Sequence, residues 1–283
     1  MTLEPHVAGL VLLAAVMHAG WNALVKTGQD RVITLAVVTG VGSALAAPLL
    51  PLTPLPAPES WKFLLLSGLV HVGYFFLLLQ AYRVGDLSHV YPVARGLAPL
   101  FVAGAAAVFA NESVSATGVG GLLLIAIALG SFAFERAWSG GWDPRPFFFA
   151  LGTAAIIATY TIVDGLGVRR SGNALSYILW LLFIDGIPLA LYVLATRRRH
   201  IARYLGAHWG SSLAGGVMCA TAYGLVIWAL NMGAMAYVSA LRETSVIFAA
   251  LIGSTLLREP FGRRRVLAAT LVVIGVLVMN LRG

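Results

Sequence analysis

Apolar residues fill this chain in long unbroken blocks, and polar residues punctuate the blocks at intervals of roughly 20 residues, with no strand-like alternation inside them. Blocks of this length predict membrane-crossing helices, because ~20 residues at ~1.5 Å rise span a hydrocarbon core. Helices and closed barrels alone satisfy their own backbone polar groups in lipid, and continuous apolar runs argue for helices. The pattern predicts ten spans, at 5–26, 32–50, 61–82, 88–109, 114–135, 146–166, 174–194, 210–232, 236–257 and 264–281. The connections are short, so no soluble domain is expected outside the membrane part. Composition agrees: 59% of the 283 residues are hydrophobic and 11% charged, with a mean hydropathy of +0.88, where soluble domains carry about 25% charged residues. A soluble globular protein is excluded.

Net charge is +8, and its placement speaks to orientation. Of the 19 Lys and Arg residues, Arg95 and Arg242 lie inside spans. Lys62, Arg169, Arg170 and Arg282 fall on the face that carries both termini, and all the others fall on the opposite face. The positive-inside rule then places the termini in the periplasm and the basic face in the cytoplasm. The basic stretch RRRHIARY, Arg197 to Tyr204, reads as a loop along the lipid headgroups and not as a nucleic-acid site. The leader MTLEPH carries an acid in place of basic residues, which fits a retained first helix better than a signal peptide. Cys219 stands alone and makes no intrachain disulfide. The segment Pro48 to Pro58 holds five of the 12 prolines and predicts a stiff connection between the second and third spans.

An internal repeat is visible. Arg95, Phe101, Ala103 and Glu112 match Arg242, Phe248, Ala250 and Glu259 at one offset. Ala81, Gly85 and Val90 match Ala229, Gly233 and Val238 at an offset longer by a single residue. The chain therefore divides into a first half at 1–136 and a second at 137–283. Five helices per half is an odd number, so the second half enters the membrane upside down. Inverted repeats of this kind build many secondary transporters, whose sites lie near the midplane where the halves meet.

Each half has a fourth helix followed by an acid-containing turn, FANES at 109–113 and LLREPFG at 256–262. With the ten spans and the repeat, these turns make the whole chain resemble the EamA-type branch of the drug/metabolite transporter superfamily. The resemblance implies an all-α membrane protein of ten transmembrane helices, arranged as two inverted five-helix repeats around a central cavity that alternates in access. It also implies a bacterial inner-membrane carrier without a cofactor, many relatives exporting amino acids or other small metabolites. The four-helix members of the superfamily exchange protons for cationic drugs through a first-helix glutamate. The first helix here offers His18, Trp21 and Asn22 instead.

Charges inside spans are costly and mark cavities, partners or pathways. A guanidinium suits a carboxylate or phosphate, which makes Arg95 and Arg242 candidate substrate ligands. Asp185 and Glu243 are the acids that pair with them if their role is structural. Pro92 and Pro99 flank Arg95 and predict a kinked or locally opened helix. Tyr91, Trp21, Asn22, His71, Tyr74, Tyr160, Trp180 and Tyr223 complete the candidate substrate-binding set, as interior polar and aromatic side chains. His18, Asp185 and Glu243 are candidates for coupling or gating, with protons as the candidate coupling ion. No phosphate loop, zinc-protease motif or nucleophile elbow occurs, so neither ATP nor an enzymatic reaction is expected, and no ligand spacing indicates a metal.

The expected function is a secondary active transporter, an exporter of small polar metabolites such as amino acids. Carriage of phosphorylated or lipid-linked substrates is the alternative, and a membrane-embedded enzyme the remote one. The expected partners are a small-molecule substrate and the lipid bilayer, with no nucleic acid, and both a monomer and a homodimer are open.

Overall fold

The computed structural model describes residues 3–27, 30–84, 87–131, 145–255 and 263–281. The helices are α1 (Pro5–Thr27), α2 (Arg31–Ala46), α3 (Pro58–Val84), α4 (Leu87–Phe109), α5 (Ala116–Gly130), α6 (Arg145–Arg169), α7 (Ala174–Met232), α8 (Met235–Arg242), α9 (Ser245–Thr255) and α10 (Arg263–Met279). A 3-10 turn, Ala47–Leu52, follows α2. Among the described residues six segments are long and apolar enough to cross a membrane: Pro5–Val25, Val32–Leu52, Pro92–Phe109, Phe147–Arg169, Ala174–Met232 and Met235–Thr255. Ala116–Gly130 and Val266–Met279 are shorter apolar helices.

The ten helices among the described residues do not map one to one onto the ten predicted spans. The seventh and eighth spans form one continuous run of 59 residues in α7. At ~1.5 Å per residue such a run, if straight, would be about three times the thickness of a hydrocarbon core. It is not straight: Arg197 (φ −137°, ψ 28°) and His208 (φ −132°, ψ 23°) leave helical geometry. The arms fold back on each other, so that Ile178 of the first stands against Gly224 of the second, where an added Cβ would lie 3.2 Å from its Cγ2. Both arms pack on α2, through Gly186 against Thr39 and Ser43 and through Gly216 against Val41. The ninth span is split in the other sense, into α8 and α9, at Glu243 and Thr244.

The outer surface is apolar. Leu65, Leu69, Val108, Ile127 and Leu267 expose 62–72% of their surface, as lipid-facing side chains do and water-facing ones seldom do. The interior instead holds His71, Arg95, Asp164, Arg242 and Glu243, all buried. Polarity is thus inverted relative to a soluble protein.

The proline-rich segment does more than space two helices. Its Pro54 carbonyl accepts from Ser176 Oγ (2.6 Å) near the start of α7. Its Ala57 N–H donates to the Ser171 carbonyl (2.9 Å), so it clamps the end where α6 passes into α7. At the opposite end Arg197, at the α7 bend, pairs with Asp30 at 2.5 Å. Asp30 also caps α2 through Val32 and Ile33.

α5 and α10 cross at two glycines. A Cβ on Gly121 would stand 2.4 Å from the Gly275 carbonyl oxygen, and one on Gly275 would stand 2.8 Å from that of Gly121. Backbone cannot yield as a flexible side chain does. Gly121→Val is expected to lower stability by more than ~1–3 kcal/mol, the usual cost of overpacking. Gly104→Ala, with nothing within 4 Å, is expected to leave thermal unfolding in detergent within a few tenths of a kcal/mol of wild type or slightly above it. Equal melting temperatures for the two variants would refute the close contact.

Candidate functional site

The helix break in the second half builds one pole of the site. α8 ends at Arg242, and Glu243 and Thr244 make i→i−3 bonds to Ala240 and Leu241. Thr244 Oγ1 donates to the Leu241 carbonyl (2.8 Å), tightening the turn. Carbonyls at the end of α8 favour a cation and the N–H groups opening α9 favour an anion. Arg242 and Glu243 occupy those two places. Arg95 comes across from α4: its Nε lies 2.6 Å from Glu243 Oε2, and its Nη2 donates to Ser245 Oγ at 3.2 Å. The Arg95–Glu243 contact is a buried ion pair, with both side chains almost wholly out of contact with solvent.

Two arginines thus share one glutamate, and they share it unequally. Arg242 Nε stands 4.0 Å from Glu243 Oε1, the limit of an ion pair. Arg242 Nη2 is buried and has no hydrogen-bond partner among the described residues. Its guanidinium carbon lies 6.0 Å from the ring centre of Tyr160, within reach of the ring's negative face. His18 of α1 lies within electrostatic range of both arginines.

Tyr160 links this pole to a second one. Its ring stacks on His71 of α3, with centroids 4.6 Å apart, and meets Tyr223 edge-on at 6.4 Å and Tyr74 edge-on at 6.2 Å. His71 Nδ1 faces the Ser67 carbonyl at 3.0 Å and Asp185 Oδ1 of α7 at 3.6 Å. His71 Nε2 faces the Tyr223 hydroxyl at 3.3 Å. That hydroxyl donates to Asp164 Oδ2 at 2.5 Å, and Tyr177 donates to Asp164 Oδ1 at 3.3 Å. Asp164 is fully buried.

The candidate residues separate accordingly. Arg95, Arg242 and Glu243 meet at the helix break, and His71, Tyr74, Tyr160, Asp185 and Tyr223 meet around Asp164. Asp185 faces a histidine, so the arginine pairing open to it on sequence goes to Glu243 alone among the described acids. Trp21 makes an edge-on contact with His18 (5.2 Å), and Asn22 Nδ2 donates to the His18 carbonyl (2.7 Å); both contacts stay within α1. Trp180 packs edge-on against Trp61 (4.9 Å), whose Nε1 donates to the Pro56 carbonyl (3.2 Å) beside the proline-rich clamp. The Tyr91 side chain and the turn at 256–262 lie outside the described residues. Across Pro92 and Pro99, where a kink or local opening is expected, α4 is assigned as one helix from Leu87 through Phe109. A helix interruption lies at Glu243 and Thr244, where neither proline nor glycine occurs; Arg242 there suits a helix C-terminus and Glu243 a helix N-terminus.

Asp164 was not among the sequence candidates. A span ending at 166 puts it in the last turn, at headgroup depth, whereas α6 continues to Arg169 and carries it inward. The clue in the sequence is the pair Arg169 and Arg170, which marks the true end of the helix.

At the end that carries the termini, Glu112 from the first acid-containing turn accepts from the Met235 N–H (2.7 Å) at the start of α8. It also pairs with Arg169 at 2.7 Å. Arg169 in turn donates from Nε to the Leu230 carbonyl (2.9 Å) and from Nη2 to the Gly233 carbonyl (2.7 Å). Glu112 therefore holds together the α4–α5 turn, the end of α6 and the α7–α8 turn.

An apolar exterior, a charged and aromatic interior and a helix interrupted at its buried charges define a multi-pass membrane protein of transporter type. A family profile described as the EamA-like transporter family matches the chain twice, over residues 7–132 and 145–281. The chain belongs to the EamA-like transporter family. A solved crystal structure is similar in fold, with a TM-score of 0.74 and 18% identity, over 96% of this chain and 94% of that one. A comparison with curated proteins gives no match.

Proposed function

We propose that the chain is a secondary active transporter that exports small polar metabolites bearing a carboxylate, such as amino acids, across the bacterial inner membrane. In this reading residues 1–136 and 137–283 are inverted five-helix repeats that cross the membrane ten times in all. The termini face the periplasm, and access alternates around the surface between Arg242 and Asp164.

The observation that carries the reading is Arg242: a buried guanidinium at the end of a broken helix, with Nη2 unengaged among the described residues. A buried charged donor without an acceptor costs several kcal/mol, and a solute carboxylate would supply the acceptor. The aromatic surface of Tyr160, Tyr74 and Tyr223 lies next to it, and the carboxylates beyond suit an amino group. Carriage of phosphorylated or lipid-linked substrates asks both arginines for one phosphate. Glu243 already occupies Arg95, which favours the single-carboxylate reading.

Purified protein in liposomes preloaded with unlabelled amino acids is expected to take up a mixture of radiolabelled proteinogenic amino acids by counterflow. Protein-free liposomes set the background. Uptake no greater than that background would overturn the reading.

A further inference from the structure

Asp164, Tyr223 and His71 form a hydrogen-bonded chain whose proton positions are constrained by what each atom faces. The Tyr223 hydroxyl has one proton and here gives it to Asp164. Its oxygen is then left to accept, so His71 Nε2 must carry a hydrogen. His71 Nδ1 faces the Ser67 carbonyl at 3.0 Å and Asp185 Oδ1 at 3.6 Å, which only accept, and the Ser67 hydroxyl at 3.3 Å, which can accept from it too, so a hydrogen on Nδ1 is the placement that satisfies all three. In this arrangement the imidazole holds both protons and Asp164 is ionised. A second arrangement uses the same heavy-atom positions. Asp164 is protonated and donates to Tyr223, Tyr223 donates to Nε2, and the imidazole is neutral. The two interconvert when the Nε2 proton passes to the tyrosine oxygen while the tyrosine proton passes to the carboxylate. No atom is gained or lost.

We infer that Asp164, Tyr223 and His71 are a proton-binding site, filled from Asp185, and that the proton bound there is the ion exchanged for the solute. The inference rests on the carrier reading above and adds to it the coupling ion and the place where it binds. Exposure falls along the path: the Asp185 side chain is 15% exposed, that of His71 8%, and Asp164 is fully buried. Asp185 Oδ1 stands at the ion-pair distance of 3.6 Å from Nδ1, on the side of the ring away from Tyr223. With the proton bound, Asp164 and His71 together are neutral. With it released, a carboxylate is left among hydroxyls, and burying such a charge is expensive unless a cation replaces the proton. The ammonium of a zwitterionic solute is such a cation, and its carboxylate finds Arg242 across Tyr160. Proton and solute then exclude each other, as exchange requires. Among the described residues no three His, Cys, Asp or Glu side chains converge as a metal site, so a proton fits this site better than a metal ion.

Every packed element contributes groups that tune the site. α3 gives His71 and Ser67; α7 gives Tyr177, Asp185, Tyr223 and, near Asp185, Cys219. α6 itself gives Tyr160. α8 brings Arg242 against Tyr160, α4 brings Arg95, held by Glu243, and α1 brings His18 near both arginines.

The test uses full-length protein in liposomes with a trapped pH-sensitive dye and the labelled amino-acid mixture. Wild type is expected to move protons against the solute and to accumulate label when the lumen is acidic. Tyr223→Phe, which removes the bridging oxygen and keeps the ring, is expected to lose proton movement, so that whatever solute flux remains no longer responds to a pH gradient. Solute exchange by wild type with no proton movement would overturn the inference and leave the carrier reading intact. An unchanged proton-to-solute ratio in Tyr223→Phe would also overturn it. Infrared difference spectra between acidic and alkaline buffer decide the matter independently of flux. The carboxylic-acid band is expected to disappear in Asp164→Asn and to shift in Tyr223→Phe, and a band untouched by both would overturn the site. If wild type transports no amino acid, the carrier reading fails, and the spectra alone still judge the proton site.

Discussion

Glu243→Ala is expected to destabilise the protein by about 3–5 kcal/mol, the usual cost of removing one partner of a buried ion pair. The effect is large because both arginines depend on this carboxylate. Arg95 contacts it at 2.6 Å with its side chain 3% exposed, while Glu243 itself is fully buried. Without Glu243, two guanidinium groups would share a dry interior with no counter-charge from that turn. Replacing the Arg95 partner as well should relieve part of the penalty, since buried pairs exchanged for apolar residues are often neutral or better. Arg95→Met with Glu243→Leu is therefore expected to be more stable than Glu243→Ala alone, although Arg242 still loses its neighbour. Chemical denaturation in detergent across the double-mutant cycle measures the coupling. A Glu243→Ala effect within about 0.5 kcal/mol, as for an ordinary surface position, would mean that the carboxylate does not organise the helix break.

The cluster at the break shows which parts of the design a sequence reveals. Arg95 and Arg242 stand out because a fixed charge in an apolar run has few explanations, and the repeat offset pairs them in the sequence itself. Their partner was partly legible: Glu243 sits beside Arg242 in the chain, yet its strongest contact is with Arg95 of another helix. Adjacency along a helix does not point two side chains at each other. The break itself left no proline or glycine to mark it. Its cause is distributed, with Arg242 suited to a helix C-terminus, Glu243 to an N-terminus, and Thr244 bonding back to Leu241. Conversely, Pro92 and Pro99 looked like breakers, and α4 absorbs them within a single helix.

At the other pole the histidine was legible and the aspartate was not. His71 lies in the middle of a span by any count. Asp164 lies near the end of one, where boundaries blur by a few residues, and three extra residues of helix separate an interfacial acid from a buried one. The long α7 gives the same lesson at a larger scale. Two spans and a basic connection were readable from hydropathy, but the connection is itself helical, bent at Arg197 and His208 and returned alongside its own first arm. Hydropathy reports depth in the membrane. It carries no information on whether the backbone between two depths stays helical.

Arg242→Gln is expected to weaken carboxylate binding by at least about 30-fold while leaving the fold intact. Truncating one member of a desolvated, hydrogen-bonded charge pair costs about 2–5 kcal/mol, and ~1.4 kcal/mol corresponds to tenfold. The two halves of the expectation come from one observation. Arg242 Nη2 makes no hydrogen bond among the described residues and its Nε only reaches the limit of an ion pair with Glu243, so little internal bonding is lost on substitution. The counter-charge to Glu243 remains in Arg95 at 2.6 Å. Arg242→Lys keeps the charge and loses the two-pronged donor geometry, so it should fall between glutamine and wild type. Amino-acid amides, which lack the carboxylate, are expected to bind wild type and Arg242→Gln with similar affinity, which separates loss of a specific contact from general damage to the site. Competition of unlabelled amino acids and of their amides against labelled counterflow measures both. Undiminished competition by amino acids in Arg242→Gln, at an unchanged melting temperature, would place the carboxylate elsewhere. The buried guanidinium would then be a structural member of the helix break, with Glu243 as the acid that stabilises both arginines, Arg95 at 2.6 Å and Arg242 at 4.0 Å.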